Sequence, residues 1–260
     1  MHYASLASGS KGNCHVLSDG DRSLLIDAGL SLTQVRHRMT AAGMDFSSIK
    51  AVALTHEHAD HIGAVAVMLR RTPWPFLATQ DTKKAVESIH GIEIPSFRWI
   101  PLQAGGATDW NGWRVLPFSL PHDAEDPVAY RIECHGISFA VVTDLGHPTA
   151  LVADHCQDLD FMVLEANHDV DMLRDGSYPP ALKARILSRV GHLSNGAMAE
   201  LLAKVMAPRL RQLVLAHLSE TNNHPDLARL AAEMALGRES ATQLFLAHQR
   251  EPLAIAVASH

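Results

Sequence analysis

Short apolar segments alternate with amphipathic ones along the chain. Ala51–Leu54 is an uninterrupted apolar run, which predicts a buried strand. Leu32, Val35 and Met39 recur at helical spacing behind Ser31, whose hydroxyl suits a helix N-cap. Further strands are predicted at 3–7, 13–18, 23–27, 76–79, 113–118, 127–134, 137–142, 161–164, 212–216, 243–246 and 253–257. Further helices are predicted at 62–69, 181–190, 196–206 and 226–236. This alternation, without a linker or low-complexity tract, predicts one layered α/β domain over residues 1–260.

The composition is that of a globular protein with an acidic balance. Apolar residues make up 47% and charged residues 19%, which excludes a disordered chain or a coiled coil. The net charge of −6 excludes a protein that binds nucleic acid through an overall basic surface. No run of 18 apolar residues exists, and the N-terminus has no export pattern, so we expect a cytoplasmic protein without membrane contact. Three widely spaced cysteines fit a reduced chain better than a disulfide framework.

Histidine is unusually frequent, with 17 copies, and four potential metal ligands lie together after one predicted strand. The segment Thr55-His56-Glu57-His58-Ala59-Asp60-His61 follows the run 51–54 directly. If it is locally extended, His56 and His58 project the same way, while Asp60 and His61 open the next helix and point to a neighbouring position. The alternative is a solvated polar loop. The concentration of ligand-type side chains beside a buried strand favours metal binding.

Three more ligand-type residues stand at the carboxyl ends of predicted strands. They are His122, Asp144 and His217. Each taken alone is typical of an ordinary turn or capping residue. Their joint pattern with the histidine cluster is what indicates a site.

This pattern, His-x-His-x-Asp-His followed by a strand-end His, Asp and His, resembles the metallo-β-lactamase fold superfamily. The resemblance spans nearly the whole chain and implies a four-layer αββα sandwich. It implies two divalent ions, which the ligand types suggest are Zn²⁺, Mn²⁺ or Fe²⁺. The first ion would be held by His56, His58, His122 and Asp144. The second would be held by Asp60, His61, His217 and the bridging Asp144, with Asp60 also assigned to the catalytic set.

More local matches resemble the YycJ/WalJ-type metallohydrolases, which are near ribonuclease Z. They are Ala7–Cys14, Pro121–Ala124, Leu164–Asp169, Lys183–Asn195 and Leu215–Ser219 with Asn222-Asn223. The activity this resemblance implies is a 5′→3′ exonuclease that acts on DNA. The inserted domain of ribonuclease J and the inserted arm of ribonuclease Z have no room in this chain.

A dinuclear centre suits phosphodiester hydrolysis, because two ions can bridge a hydroxide nucleophile and clamp a phosphoryl oxygen. A poor leaving group then needs a general acid. His192 is the candidate, with Glu165 orienting it and keeping it protonated, as in the acid dyad of ribonuclease Z. The alternative is that Glu165 caps a strand and His192 is a loop residue.

Several polar residues are candidates for substrate contacts. In the loop at 8–13 they are Ser8, Ser10, Lys11 and Asn13, and later in the chain they are His168, Ser219, Asn222 and Asn223. The loop is equally typical of a tight hairpin turn, and the residues near 219–223 are equally typical of a helix cap. Arg70-Arg71 and Lys83-Lys84 favour a solvated surface, although a nucleic-acid path stays open.

Two other functions stay open from the residues alone. One is a hydrolase of a small cyclic phosphodiester or thioester, and the other is a metal-stabilised scaffold without catalysis. A complete ligand set plus an acid candidate favours an enzyme, because a scaffold needs no open metal position. The oligomeric state cannot be read from the residues.

Overall fold

The computed structural model describes residues 1–205 and 209–257, which form two compact units. The first unit contains residues 1–106, 124–128 and 247–257, and the second contains 107–123 and 129–246. The strands are β1 (His2–Ala7), β2 (Cys14–Ser18), β3 (Ser23–Ile26), β4 (Ile49–Ala53), β5 (Phe76–Thr79), β6 (Trp99–Leu102), β7 (Thr108–Trp110), β8 (Trp113–Ser119), β9 (Val128–Cys134), β10 (Ile137–Val142), β11 (Phe161–Glu165), β12 (Gln212–Ala216), β13 (Gln243–Leu246) and β14 (Leu253–Ala256). The α-helices are α1 (Leu32–Ala41), α2 (Ala59–Ile62), α3 (Val65–Arg71), α4 (Gln80–His90), α5 (Ala150–His155), α6 (Val170–Asp175), α7 (Pro180–Ile186), α8 (Asn195–Val205) and α9 (Pro225–Leu236).

The first unit is built on a seven-stranded mixed sheet in the order β14-β1-β2-β3-β4-β5-β6. Strands β3 to β6 are parallel, while β14, β1, β2 and β3 pair antiparallel. Helix α1 begins behind Ser31, whose side chain accepts a hydrogen bond from Gln34 N, as predicted, and it buries Val35 and Met39 in the core of this unit. Because neighbouring parallel strands end on the same side, the residues after β3 and β4 lie side by side.

The second unit contains another seven-stranded mixed sheet, in the order β13-β12-β11-β10-β9-β8-β7. Strands β10 to β13 are parallel. The apolar stripe predicted on helix α8 is buried in the core of this unit, with Met198, Leu201 and Leu202 fully enclosed. The carboxyl ends of β10, β11 and β12 therefore also come together on one side. The α/β class predicted from the sequence is confirmed in both units.

The predicted strands are all present, with ends displaced by no more than two residues. Two predicted helices have different limits. The helix expected at 62–69 is two helices, α2 and α3, because Ala64 N donates to Ala28 O instead of continuing the helical ladder. The helix expected at 181–190 ends at Ile186, because the chain turns back so that His192 N donates to Ile186 O. The last residue of the helix predicted at 196–206 lies outside the described residues.

Helices α4, α5 and α6 and strands β6 and β7 were not predicted. Helix α4 contains only three apolar residues among eleven and buries only Thr82 and Val86, so few apolar positions mark it in the sequence. Strand β7 has three residues and closes a hairpin through Asn111-Gly112. In the part of the chain that the structure describes, no helix has the length and apolarity required to cross a membrane.

Candidate metal centre

In the first unit, a buried carboxylate organises the segment that follows β4. Asp27, the residue after β3, accepts hydrogen bonds from Thr55 N at 2.9 Å and from Thr55 Oγ1 at 3.0 Å. The same carboxylate lies 2.8 Å from His61 Nδ1. Thr55 Oγ1 also lies 2.9 Å from His56 Nδ1. Asp27 and Thr55 thus fix the ring orientation of two of the predicted ligands.

His56 and His58 present two ring nitrogens to one point. His56 Nε2 lies 3.1 Å from His58 Nδ1, and the two rings are nearly perpendicular, at 84°. Two nitrogens at 2.0–2.1 Å from a tetrahedral ion are about 3.3 Å apart. The spacing of this pair therefore fits two ligands of one ion.

Asp60 and His61 form the second predicted pair in this unit. His61 Nε2 lies 3.5 Å from Asp60 Oδ2, and the amide nitrogen of Asn13 contacts both, at 2.9 and 3.1 Å. Asn13 is fully buried, and its amide also bonds the backbone of Gly9. This side chain connects the loop at 8–13 to the ligand segment.

In the second unit, ligand-type residues gather at the carboxyl ends of three adjacent parallel strands. Asp144 follows β10, Glu165 ends β11 and His217 follows β12. Together with His192 they offer ligand atoms that lie within 4.8 Å of one another. Asp144 and His217 have φ angles of 61° and 55°, a left-handed backbone that such residues rarely adopt. Residues held in this conformation cluster at functional sites.

Glu165 is fully buried and accepts four hydrogen bonds. Oε1 accepts from His192 Nδ1 at 2.8 Å and from His217 Nδ1 at 3.0 Å. Oε2 accepts from the backbone nitrogens of Leu145 at 2.6 Å and Leu193 at 3.3 Å. Burial opposes ionisation, but the charges and hydrogen bonds of the two imidazoles prevail and lower the pKa of Glu165 to about 2. The group is therefore a carboxylate at neutral pH.

The same contact shifts the pKa of His192 upward. Burial alone would lower its pKa, but the Glu165 carboxylate and, more weakly, Asp144 raise it. Its Nδ1 donates to Glu165, so the protonated ring keeps a second N–H at Nε2. The side chain is 23% exposed, which leaves it open to a ligand.

His122 lies in the second unit, with Nε2 at 3.9 Å from Asp144 Oδ1. Its Nδ1 donates to Gly191 O at 3.1 Å. A Cβ atom on Gly191 would lie 2.2 Å from Ile186 O, so only glycine allows the loop to approach this closely. This tight turn after α7 positions both the support of His122 and the acid candidate His192.

The donor sets fit divalent cations. In His61, His122 and His217 the Nδ1 atom is held by a carboxylate or a backbone carbonyl, and in His56 it is held by a hydroxyl. Metal-binding histidines have this arrangement, because the outer hydrogen bond fixes the tautomer and leaves the other nitrogen for the ion. Mixed imidazole and carboxylate donors suit Zn²⁺, Mn²⁺ or Fe²⁺.

The candidates in the loop at 8–13 differ in exposure. Ser10 and Lys11 are exposed, whereas Ser8 and Asn13 are buried. Lys11 N donates to Gln249 Oε1, and the loop joins the antiparallel strands β1 and β2. The loop is thus a hairpin turn, the alternative that the sequence left open, and its lysine side chain still reaches the surface.

The later candidates line the turns around β11 and β12. Burial lowers the pKa of His168 to about 4, so this ring is neutral at pH 7. Ser219 Oγ accepts from Asn222 N, and Asn223 exchanges side-chain hydrogen bonds with Asn195. The N-cap of α9 is His224, whose backbone nitrogen donates to Asn223 Oδ1, so none of the candidates at 219–223 is itself the cap that the sequence left as an alternative.

Three supporting residues were not predicted. Asp27 and Thr55 orient ligands in the first unit, and Asn167 donates to His217 O at 2.9 Å in the second. Asp27 carried a usable signal, since it is a polar residue at the end of the strand predicted at 23–27. Asn167 carried none, because its role depends on the pairing of β11 with β12.

Comparison with known proteins assigns the family. The beta-lactamase superfamily domain matches residues 22–218. The chain is 33% identical over 254 residues to "Exodeoxyribonuclease YycJ" of Bacillus anthracis, covering 97% of this chain and 96% of that protein. It is 35% identical over 229 residues to "Exodeoxyribonuclease WalJ" of Streptococcus pneumoniae, covering 88% and 85%.

Solved structures agree on the fold. Zn²⁺-bound PqqB from Methylobacterium extorquens matches with a TM-score of 0.71 at 18% identity, covering 98% of this chain and all of that one. The short form of human tRNase Z matches with a TM-score of 0.66 at 16% identity over the whole of both chains. The chain has the metallo-β-lactamase fold and belongs to the beta-lactamase superfamily, as a metal-dependent hydrolase related to the YycJ/WalJ exodeoxyribonucleases.

Proposed function

We propose that this protein is a dinuclear-metal phosphodiesterase that degrades DNA as a 5′→3′ exonuclease. The DNA substrate rests on two relatives named exodeoxyribonucleases, each of which matches most of this chain. The phosphodiesterase chemistry rests on the side chains of the candidate metal centre. The observation that carries the proposal is the 2.8 Å contact between Glu165 and His192, because it adds a proton donor to a ligand set.

The ligand sets that the family resemblance implies would hold two divalent ions. His56, His58 and His122 would serve the first ion, and Asp60, His61 and His217 the second, with Asp144 shared. When bound, the ions would supply Lewis acidity toward the phosphodiester and lower the pKa of the attacking water. The outer partners of the histidines support this assignment, since each leaves one ring nitrogen for an ion.

His192 would protonate the departing sugar oxygen. The Glu165 carboxylate holds Nδ1–H, so the imidazolium would donate its Nε2 proton and become a neutral ring that keeps its remaining proton on Nδ1. The raised pKa of His192 favours the protonated form needed at the start of this step. Glu165 does not transfer a proton, since its low pKa keeps it ionised. It orients the acid, and its other contact orients His217.

The test uses matched DNA and RNA oligonucleotides labelled at the 5′ or the 3′ end, incubated with protein loaded with Zn²⁺, Mn²⁺ or Fe²⁺. We expect DNA to be shortened from its 5′ end, and Asp144→Ala to abolish this activity. A thioester and bis-p-nitrophenyl phosphate complete the substrate set. Hydrolysis of the thioester with intact DNA would refute the proposal, as would metal-loaded protein that cleaves nothing.

A further inference from the structure

A cavity of about 450 Å³ opens in the first unit at the amino ends of β4 and β5. The ligand-type residues of this unit follow the carboxyl ends of β3 and β4, so the cavity is at the other end of the strands. Its lining includes Arg36, Lys50 and Arg71, together with the rings of Phe46 and Trp74. A cavity with three cations and an aromatic floor is suited to an anionic ligand.

The positive charge of this cavity is local and preorganised. The Arg36 guanidinium lies 4.0 Å from the centre of the Phe46 ring, and Lys50 Nζ donates to Ser47 O at 3.1 Å. Within the described chain, neither these cations nor Arg71 form an ion pair with a carboxylate. Asp45, the acid nearest to Lys50 in sequence, accepts from Ser47 N and interacts with Lys50 through space without forming an ion pair. In a chain with a net charge of −6, such a concentration of cations outside ion pairs attracts anions to one place.

A highly exposed aromatic residue lies in a turn that is bonded to the cavity wall. Phe97 is 82% exposed and lies in the turn Ser96–Arg98 that leads into β6. Arg98 Nε donates to Trp74 O at 2.9 Å, which ties this turn to the cavity wall. The exposed phenyl ring of this turn offers a flat face on which a base can stack.

We propose that Arg36, Lys50, Arg71 and Phe97, here called the basic strip, bind single-stranded nucleic acid outside the metal centre. The cations would contact phosphates and Phe97 would stack on a base, the combination used by proteins that hold single strands without reading sequence. A small anion would need only the cations and leaves the exposed ring unexplained. This inference deepens the proposed nuclease function and rests on it for the identity of the substrate.

The position of the strip sets a length requirement. Lys50 precedes the ligand His56 by six residues of largely extended chain, which span about 20 Å. A single strand can extend to roughly twice the 3.4 Å duplex rise per nucleotide, so this distance corresponds to at least about three nucleotides. A dinucleotide at the metal centre would therefore not reach the strip, whereas a strand of about 20 nucleotides would.

The experiment compares wild type with Arg36→Ala/Arg71→Ala, Phe97→Ala and the control Lys204→Ala, an exposed lysine on α8. Steady-state hydrolysis is measured on the long strand, a dinucleotide and bis-p-nitrophenyl phosphate. We expect the double variant to raise KM for the long strand about tenfold with kcat unchanged. Phe97→Ala should raise it about fivefold or more. All variants should match wild type on the two short substrates.

Binding of the long strand is also measured by fluorescence anisotropy at increasing salt concentrations. Each variant is made in the Asp144→Ala protein for this measurement, so that the DNA is bound but not cleaved. The slope of log affinity against log salt should become shallower by about 1.4 in the double variant. Polyglutamate serves as a competitor without bases.

The outcomes separate the two proposals. Degradation of DNA with the same KM in the double variant and the control would overturn the strip and leave the nuclease intact. Unaltered binding by Phe97→Ala, with polyglutamate competing as well as DNA, would overturn the nucleic-acid assignment in favour of an acidic protein partner. Wild-type protein that hydrolyses bis-p-nitrophenyl phosphate but no DNA would refute the proposed nuclease function. The anisotropy measurement would then be the remaining test of nucleic-acid binding by the basic strip.

Discussion

Glu165→Gln perturbs a fully buried carboxylate that accepts four hydrogen bonds. Glutamine has one carbonyl oxygen and one NH₂ group, so two of the four donors would face another donor. The imidazoles can adapt only by changing tautomer. His217 would then carry its proton on Nε2, which removes the lone pair that an ion needs. The substitution should therefore reduce both the stability of the metal-free protein and its affinity for metal.

Two routes give the size of the effect on stability. Each buried donor left without an acceptor costs about 1–3 kcal/mol. Independently, a pKa lowered from 4.5 to about 2 corresponds to a preference of about 3 kcal/mol for the carboxylate in the folded protein. We expect Glu165→Gln to lower the free energy of unfolding by about 3 kcal/mol and metal affinity by about 10–100-fold.

Urea unfolding of the metal-free protein measures the first quantity, and titration against a competing chelator measures the second. The control is Glu133→Gln, which removes a partly exposed carboxylate that pairs with Arg114 and Arg131 and should cost less than about 1 kcal/mol. A Glu165→Gln variant that unfolds within about 0.5 kcal/mol of wild type, or that binds metal with unchanged affinity, would contradict this role of the carboxylate.

Three further substitutions test other parts of the centre. His192→Ala should lower kcat by about 10²–10⁴-fold while the bound metal, measured by elemental analysis, stays the same; metal loss would instead make His192 a ligand. Asp27→Asn keeps the shape of the side chain but not its charge, and should weaken metal binding about 10–100-fold by chelator titration, whereas Asp45→Asn, on the surface, should not. Gly191→Ala places a Cβ atom 2.2 Å from Ile186 O, so thermal unfolding should show a loss of about 1–3 kcal/mol and turnover should fall; a neutral result would refute the close approach.

The sequence predicted the ligand segment well because its chemistry is local. His56, His58, Asp60 and His61 are consecutive in the chain, and an uninterrupted apolar strand precedes them. Asp144 and His217 were also readable, since a polar residue at the end of an apolar strand is visible without knowledge of pairing. The Glu165–His192 contact needed the family resemblance, because 27 residues separate the two side chains.

Features that depend on packing were not readable. Helix α4 has polar and apolar faces, but only three of its eleven residues are apolar, so the apolar pattern alone was too sparse to indicate a helix. Gly191 looks like any turn glycine until the carbonyls of α7 are placed next to it. The basic strip was only partly visible, as Arg70-Arg71, because Arg36, Lys50 and Phe97 come from separate segments. In each case the missing information is which segments become neighbours.

The left-handed residues of this protein also fall into two groups. Some are explained by the local turn sequence, and others depend on contacts with distant segments. Non-glycine residues with left-handed backbones include Asn111 and His135, which precede glycines in two-residue hairpin turns where that conformation is usual. Asp27, Asp144 and His217 are different, because each follows a sheet strand and carries a side chain of the candidate centre. Such a conformation costs about 1 kcal/mol or more per residue and persists only where other contacts enforce it. Those contacts exist: Thr55 bonds the Asp27 carboxylate, and Asn167 bonds the carbonyl of His217. These three left-handed residues therefore lower the stability of the fold while they direct ligand-type and supporting side chains over the strand ends. A turn with only a structural role would not require this conformation.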